Sequence, residues 1–174
     1  MPDRVCVFID GSNFYHGLKE NLGRQKLKLD VLVNKLVGGD IHVKTYYYNA
    51  PYPQQKNAQV AQEQQKFFNY IKSLPDTYLI LGRLEQRSSG ELVEKGIDVK
   101  LASDMVRLAY DDEYDRAVII SCDGDFVPAI NFITNELCKL VTVVFVDGQK
   151  GYHIKKACAN AIKLDEEFMT EIWR

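Results

Sequence analysis

The stretch A-V-I-I-S-C-D-G-D-F-V-P at residues 117–128 decides the fold, because a buried strand meets a helix within it. Its apolar run at 118–120 is typical of a strand that is buried on both faces. Apolar residues then recur at helical spacing from residue 126 onward. Two acids, Asp123 and Asp125, lie where the strand ends and the helix begins.

Two interpretations of this pair of acids are open. Ligands bind outside the carboxyl ends of strands in open parallel sheets, and paired carboxylates there repel each other unless a cation or a proton intervenes. Mg2+ or Mn2+ would relieve that repulsion, because both ions prefer oxygen ligands. Alternatively, Asp123 and Asp125 cap the helix and gain from its dipole.

Length and composition limit the class of protein. The chain has 174 residues, of which 46% are hydrophobic, and this fits one globular domain spanning residues 1–174. The net charge of -2 gives no global basic field, which weakens a nucleic-acid interpretation without excluding a local patch. No run is long enough to cross a membrane, and the acidic start does not resemble a secretory signal. The four cysteines are widely spaced, which indicates reduced thiols and a cytoplasmic location.

Strand and helix patterns alternate along the chain. This alternation predicts a doubly wound, three-layer α/β/α fold around a mostly parallel, Rossmann-like sheet. Strands are predicted at 5–9, 41–48, 77–84, 118–120, 141–146 and 161–164, with a hairpin return at 91–94. Helices are predicted from residue 13 to about 22, at 30–37 with Asp30 as cap, at 57–74, at 97–110, from 126 to about 137, and at 153–160, with a last turn at 166–172.

A further acid, Asp10, ends the first predicted strand, as Asp123 and Asp125 follow the central one. Adjacent parallel strands bring such residues to the same edge of a sheet. Asp98 lies in the first turn of the helix at 97–110. Capping by Asp10 and a favourable helix-start position for Asp98 are the structural alternatives. The common edge favours a metal site.

Asp104 stands out because it shares the apolar stripe of that same helix. A carboxylate on a core-facing stripe needs a partner or a metal ion. The alternative to a metal ligand is a buried salt bridge with Arg107 or Lys100.

Three segments then resemble a known family. They are F-I-D-G-S-N-F-Y at 8–15, E-K-G-I-D-V-K-L-A-S-D-M at 94–105 and S-C-D-G-D-F-V-P at 121–128. In this order they are similar to the three sequence blocks of the NYN domain family, which resembles the PIN-domain nucleases, and the chain is most similar to its bacterial LabA-like branch. The resemblance implies a PIN-like fold and a metal-dependent ribonuclease.

The resemblance also assigns residues by position. It implies that four acids are catalytic and bind the metal, namely Asp10, Asp98, Asp123 and Asp125, with Asp104 at a further acid position of its block. It implies supporting polar roles for Asn13, Ser121 and Ser12. Cys122 departs from the family pattern, because Gly is common at that position.

The chemistry of such a site can be stated from the residue types. Carboxylates holding Mg2+ or Mn2+ would activate water and offset the charge that develops on the phosphodiester. Without the metal, the acids would repel phosphate, so RNA must also be held by nearby cations. Candidate cations are Lys95, Lys100 and Arg83, followed by Arg87 and the group Lys150, Lys155 and Lys156. Tyr15 is a candidate for stacking on an unpaired base. Each of these is otherwise an ordinary solvated surface residue.

Other functions fit the sequence less well. An Asp-nucleophile phosphatase needs a second acid where Ser12 stands, and a metal-dependent adhesion site needs Ser where Phe14 stands. A catalytically inactive nucleic-acid-binding or regulatory protein remains the alternative. The sequence therefore predicts a Mg2+- or Mn2+-dependent ribonuclease that acts on single-stranded or structured RNA, without a membrane and with a homodimer left open.

Overall fold

A six-stranded sheet forms the middle layer of the protein, whose computed structural model describes all residues from Met1 to Arg174. Every neighbouring pair of strands in this sheet is parallel, and the strand order is β3-β2-β1-β6-β7-β8. The bounds are β1 (Arg4–Asp10), β2 (Ile41–Asn49), β3 (Thr77–Leu81), β6 (Arg116–Ile120), β7 (Leu140–Val146) and β8 (Asn160–Leu164). A separate antiparallel hairpin joins β4 (Arg83–Gln86) to β5 (Leu92–Lys95).

Helices cover both faces of the sheet and complete the predicted three-layer fold. Their bounds are α1 (Gly11–Leu22), α2 (Leu29–Val37), α3 (Ala58–Ser73), α4 (Ile97–Tyr110), α5 (Val127–Asn135), α6 (Tyr152–Ala157) and α7 (Glu166–Met169). Helices α1, α2, α3 and α7 supply side chains to one apolar core, and α4, α5 and α6 supply the other. No helix combines the length and the apolar composition needed to cross a membrane.

Strand β1 shows why the sequence folds into two cores. Val5, Val7 and Ile9 enter the core on one face, whereas Cys6 and Phe8 enter the core on the other, and all five are fully buried. Successive side chains of a strand point to opposite faces, so an uninterrupted apolar run suits a strand that is covered on both sides. The predicted fold class is confirmed.

Some element boundaries differ from the predictions. The strand predicted at 77–84 is broken at Gly82, whose amide donates to the Asn49 carbonyl, and a Cβ at this glycine would collide with Ile97. The second helix begins at Leu29 with Lys28 as its N-cap, so Asp30 lies in the first turn and is not the cap. The helix predicted at 153–160 ends early, because residues from Asn160 pair with β7 as strand β8.

Ion pairs hold the amino-terminal ends of the strands together. Arg4 lies 2.7 Å from Asp115, and Arg116 lies 2.6 Å from Asp40. The Arg116 guanidinium beside Asp40 holds the pKa of that carboxyl below its usual value. Acids at this edge of the sheet are thus neutralised by neighbouring cations, in contrast to those at the opposite edge.

Candidate active site

Asp10 is the last residue of β1 and lies at the carboxyl edge of the sheet. One carboxylate oxygen accepts the Asn13 amide hydrogen at 3.2 Å and so caps α1, while the other accepts the Ser121 hydroxyl hydrogen at 2.9 Å. The residue is only 4% exposed. Burial raises the pKa of Asp10 to about 6, the two hydrogen bonds oppose that rise, and repulsion from Asp98 and Asp123 adds to it.

Asp123 and Asp125 follow β6 at the same edge, around a 3-10 turn at Gly124–Phe126. Asp123 caps this turn, because its side chain accepts the Asp125 amide hydrogen at 2.9 Å. The Asp123 amide in turn donates to the Ser121 hydroxyl at 3.1 Å, and Ser121 donates to Asp10. Capping and placement beside Asp10 therefore coexist, and Asp125 remains exposed to solvent.

Asp98 and Glu94 approach these acids from the start of α4 and from β5. Burial raises the pKa of Asp98, and Asp123 and Asp125 raise it further. Burial also raises the pKa of Glu94 to about 7, with repulsion from Asp10 and Asp98 adding to the shift and Ser12 opposing it. Five carboxylates therefore influence one another at this edge.

No functional role was predicted for Glu94 from the sequence, although it begins the second of the three quoted segments. It belongs to a short hairpin strand, with no buried apolar run before it to mark the end of a central strand. The hairpin fold alone brings it to the site. The burial of Glu94 and its repulsion by Asp10 and Asp98 therefore place it with the other acids, which its spacing in the sequence did not indicate.

None of these five carboxylates forms a salt bridge. A cluster of hard oxygen donors without cationic partners fits a divalent cation such as Mg2+ or Mn2+ in its chemistry, and the pKa values of Asp10, Glu94 and Asp98 are raised. No three Asp, Glu, His or Cys side chains stand close enough together to enclose an ion as they are arranged. Binding would therefore require side chains to move inward.

Asp104 does not join this cluster. It is 4% exposed and accepts the Tyr48 hydroxyl hydrogen at 3.0 Å, and the Lys100 ammonium lies 2.7 Å from its other oxygen. Arg107 lies 3.8 Å away. This arrangement argues against the prediction that Asp104 is a metal ligand and corresponds to the alternative of a buried salt bridge.

Gln149 connects the loop after β7 to the acids and had no signal in the sequence. Its side-chain amide donates to the Asn13 side-chain oxygen at 3.2 Å, and its own oxygen accepts the Val146 amide hydrogen at 2.9 Å. The same Asn13 oxygen accepts the Cys122 amide hydrogen at 3.0 Å. A chain of hydrogen bonds thus ties the loop to both acid-bearing turns.

Gly17 makes this connection sterically feasible. A Cβ at Gly17 would collide with the Gln149 side-chain amide, so α1 accepts the glutamine only because it carries no side chain at this point. The glycine therefore reflects the close approach of the loop to α1.

The three predicted substrate cations Arg83, Lys95 and Lys100 line a cleft of about 510 Å3 between the end of β3 and the start of α4. Arg83 lies 3.0 Å from Glu85, and Lys100 is held by Asp104, so both are paired within the chain. Lys95 is exposed and forms no salt bridge. Tyr15 lies on α1 and is 39% exposed.

Comparison with known proteins then identifies the family. The sequence matches the NYN domain over residues 4–165, which is most of its length. The chain belongs to the NYN domain family. NYN domains are PIN-like nucleases, so the family supports a nuclease-type function in general, and such nucleases are generally dependent on a divalent metal.

Two relatives of this NYN domain are informative. It is 26% identical over 172 residues to the low amplitude and bright protein LabA of Synechococcus elongatus, covering 95% of this chain and 86% of that protein. It is also similar to the crystal structure of a protein of unknown function from Vibrio parahaemolyticus, with a TM-score of 0.78 and 20% identity over 96% of each chain. The second likeness demonstrates the shared fold, and the predicted resemblance to the LabA-like branch is confirmed.

Proposed function

We propose that this NYN domain is a Mg2+- or Mn2+-dependent ribonuclease that hydrolyses RNA phosphodiester bonds. The observation that carries the proposal is the set of five unpaired carboxylates at the carboxyl edge of the sheet. Burying and crowding acids without a cation is unfavourable, as the raised pKa values of Asp10, Glu94 and Asp98 indicate. A divalent ion would reverse that penalty, whereas acids at the opposite edge are already paired.

Four of the acids are the proposed metal ligands, namely Asp10, Asp98, Asp123 and Asp125. The ion, when bound, supplies an activated water and offsets charge on the phosphate oxygens. Asp10 is oriented by its two hydrogen bonds, which fix both of its oxygens before an ion arrives. Asn13, Ser12 and Ser121 are the proposed supporting residues, because they contact Asp10, Glu94 or the turn that carries Asp123.

Glu94 has a proposed role of its own. Its pKa of about 7 means that the carboxyl is close to half-protonated at neutral pH. A carboxyl with such a pKa exchanges a proton readily near its working pH, which suits a general acid or base. We assign Glu94 to that role and the four Asp residues to ion binding.

RNA is the proposed substrate, and the residues proposed to bind it are Lys95, Lys100, Arg83 and Tyr15. The three cations border one cleft, whose lining residues Lys95 and Ile97 adjoin Glu94 and Asp98 in the sequence. Lys95 has no acidic partner to displace, whereas Arg83 and Lys100 would have to leave theirs or share them. Lys95 is therefore expected to contribute most of the affinity for phosphate among these three cations.

Cleavage of a labelled RNA by the purified protein tests the proposal, with Mn2+, with Mg2+ and with EDTA. Asp123→Asn removes one proposed ligand, and Glu63→Gln is the matched control, because it removes an exposed carboxylate on α3 that is not among the groups raising the pKa of Asp10, Glu94 or Asp98. Metal-dependent cleavage is expected for the wild type and for Glu63→Gln and is expected to be lost in Asp123→Asn. Cleavage that persists in Asp123→Asn or in EDTA would contradict the proposal.

A catalytically inactive nucleic-acid-binding or regulatory protein is the second candidate. The observation in its favour is that no three potential ligands enclose an ion as they stand. Under this alternative, RNA binds without being cut even when Mn2+ is present. The absence of cleavage by a folded protein, together with RNA binding, would select this function.

A further inference from the structure

Helix α6 lies directly beside the acid-bearing turn and presents a basic, aromatic surface. It packs against the 3-10 turn at Gly124–Phe126, and a Cβ on Gly151, just before the helix, would lie 3.2 Å from the Cys122 side chain. We call Lys150, Tyr152 and Lys156 the α6 surface; all three are exposed.

The charge of the α6 surface is not neutralised. The segment K-G-Y-H-I-K-K-A at 150–157 contains three lysines and no acid, in a chain whose net charge is -2. None of the three lysines forms a salt bridge. Of the three cations in the cleft at the start of α4, Arg83 and Lys100 are held by acids of this chain, and only Lys95 forms no salt bridge. The free positive charge next to the acids is therefore concentrated on the α6 side.

Tyr152 gives this surface a flat apolar ring. It is 70% exposed, and the Lys156 ammonium lies 5.9 Å from the ring centroid. The His153 ring meets it edge-on at 5.5 Å. An aromatic ring flanked by cations matches the way in which proteins hold single strands, because the ring stacks on an unpaired base while the cations contact the phosphates.

Lys155 connects helix α6 to the strand and loop beneath it. Its ammonium donates to the Gln149 carbonyl at 3.2 Å and lies 3.5 Å from the centroid of the Phe145 ring. Because Gln149 also hydrogen-bonds to Asn13, the start of α6 is connected to the turn that follows Asp10. The α6 surface and the acids are thus parts of one hydrogen-bonded framework.

We infer that the α6 surface binds single-stranded RNA next to the acid cluster, with an unpaired base stacked on Tyr152 and phosphates on Lys150 and Lys156. This inference rests on the proposed function only in taking RNA as the substrate. Paired bases are already stacked within their own helix, so a duplex cannot present a free face to Tyr152. The site therefore selects unpaired RNA over duplex RNA.

Binding measurements by fluorescence anisotropy test this inference independently of cleavage. The Asp123→Asn variant of the 174-residue chain is titrated into a labelled unstructured oligoribonucleotide and into a blunt-ended RNA duplex of the same length. Tyr152→Ala and Tyr152→Phe are compared in this background. The matched control is Tyr110→Ala, because Tyr110 is 76% exposed at the far end of α4 and is followed by two acids.

Tyr152→Ala is expected to weaken binding of the unpaired RNA by about 5- to 150-fold, the effect of losing one base–aromatic stack. Tyr152→Phe and Tyr110→Ala are expected to bind like their parent, and the duplex is expected to bind more weakly. Lys156→Ala is expected to reduce the slope of log K against log salt by about 0.7, as for one lost phosphate contact to a single strand.

The result for the inference and the result for catalysis are separable. Tyr152-dependent binding without any cleavage by the wild type would support the α6 surface and reject the nuclease. Cleavage by the wild type with unchanged binding in Tyr152→Ala would reject the α6 surface alone. Equal affinity for the duplex, equal losses in Tyr110→Ala and Tyr152→Ala, or no detectable RNA binding would each overturn the inference.

Discussion

Replacing Asp10 with Asn is expected to stabilise the metal-free protein at neutral pH by about 2 kcal/mol, a sum of the two opposing effects that follow. The wild-type carboxylate is buried among other acids, and its pKa is raised from 3.8 to about 6. The shift of about two pKa units corresponds to about 3 kcal/mol of penalty on the ionised form. The Asn side chain carries no charge, but its NH2 group faces the Ser121 hydroxyl, which donates a hydrogen bond to Asp10 in the wild type. Bringing two donors together costs about 1 kcal/mol.

The pH dependence follows from the direction of the shift. Because the pKa of Asp10 is raised in the folded state, folding is favoured by protonation. The stability linked to this group is complete below about pH 4 and declines as the pH rises through 6. The advantage of Asp10→Asn should therefore be absent at acid pH and reach its full size at neutral pH.

Urea unfolding in EDTA, at one pH below 4 and at one pH above 7, measures this difference. Glu63→Gln serves as the control, because it removes an exposed charge on α3. An Asp10→Asn variant that is less stable than the wild type by the same amount at both values would refute the reasoning. Adding Mn2+ should make the wild type more stable than Asp10→Asn at neutral pH, since only the wild type retains the full ligand set.

Four further substitutions test residues in or near the candidate site. Gln149→Ala is expected to lower stability by about 1–2 kcal/mol in urea unfolding and to slow metal-dependent cleavage, because Asn13 loses its hydrogen bond from the Gln149 side chain. Gly17→Ala should lower both stability and cleavage rate in the same way, because the added Cβ displaces the Gln149 side chain. Asp104→Ala is expected to lower stability by about 2 kcal/mol while leaving Mn2+ affinity unchanged in calorimetry, because its partners are Tyr48 and a lysine. Glu94→Gln is expected to flatten the dependence of the cleavage rate on pH below about 7, because the wild-type carboxyl has a pKa of about 7 in the metal-free protein and a cation bound to Asp10 and Asp98 would lower it.

Each of these expectations can fail in an informative way. Loss of Mn2+ binding in Asp104→Ala would return Asp104 to the ligand set. A Gly17→Ala protein with normal cleavage would show that the contact between α1 and Gln149 does not position the acids. An unchanged pH–rate profile in Glu94→Gln would assign the proton transfer to another group.

The sequence was informative where a local pattern coincides with the architecture. Apolar runs predicted β1 and β6 because strands covered on both faces need nearly every residue to be apolar. Acids that directly follow such runs, Asp10 and Asp123, were located at the correct edge for the same reason. Asp98 was recognisable as an acid of the first helical turn, and its approach to the others follows from where α4 begins.

The sequence was uninformative where contacts link distant parts of the chain. Gln149 contacts Asn13, 136 residues away, and a loop amide carries no periodic signal. Glu94 depends on a hairpin that forms because the chain breaks at Gly82, where Ile97 leaves no room for a side chain. Asp104 was predicted as a metal ligand because it lies on an apolar stripe. In the structure its partner is the Tyr48 hydroxyl, from strand β2, which the sequence pattern could not indicate.

A titration of Mn2+ that follows cleavage and ion binding in the same protein tests the central claim most directly. RNA cleavage rates and calorimetric binding are measured for the wild type and for Asp123→Asn. The account predicts that the half-saturation of cleavage coincides with the dissociation constant for Mn2+, and that Asp123→Asn loses both. Cleavage that needs no metal, or Mn2+ that binds without any cleavage of single-stranded RNA, would contradict it.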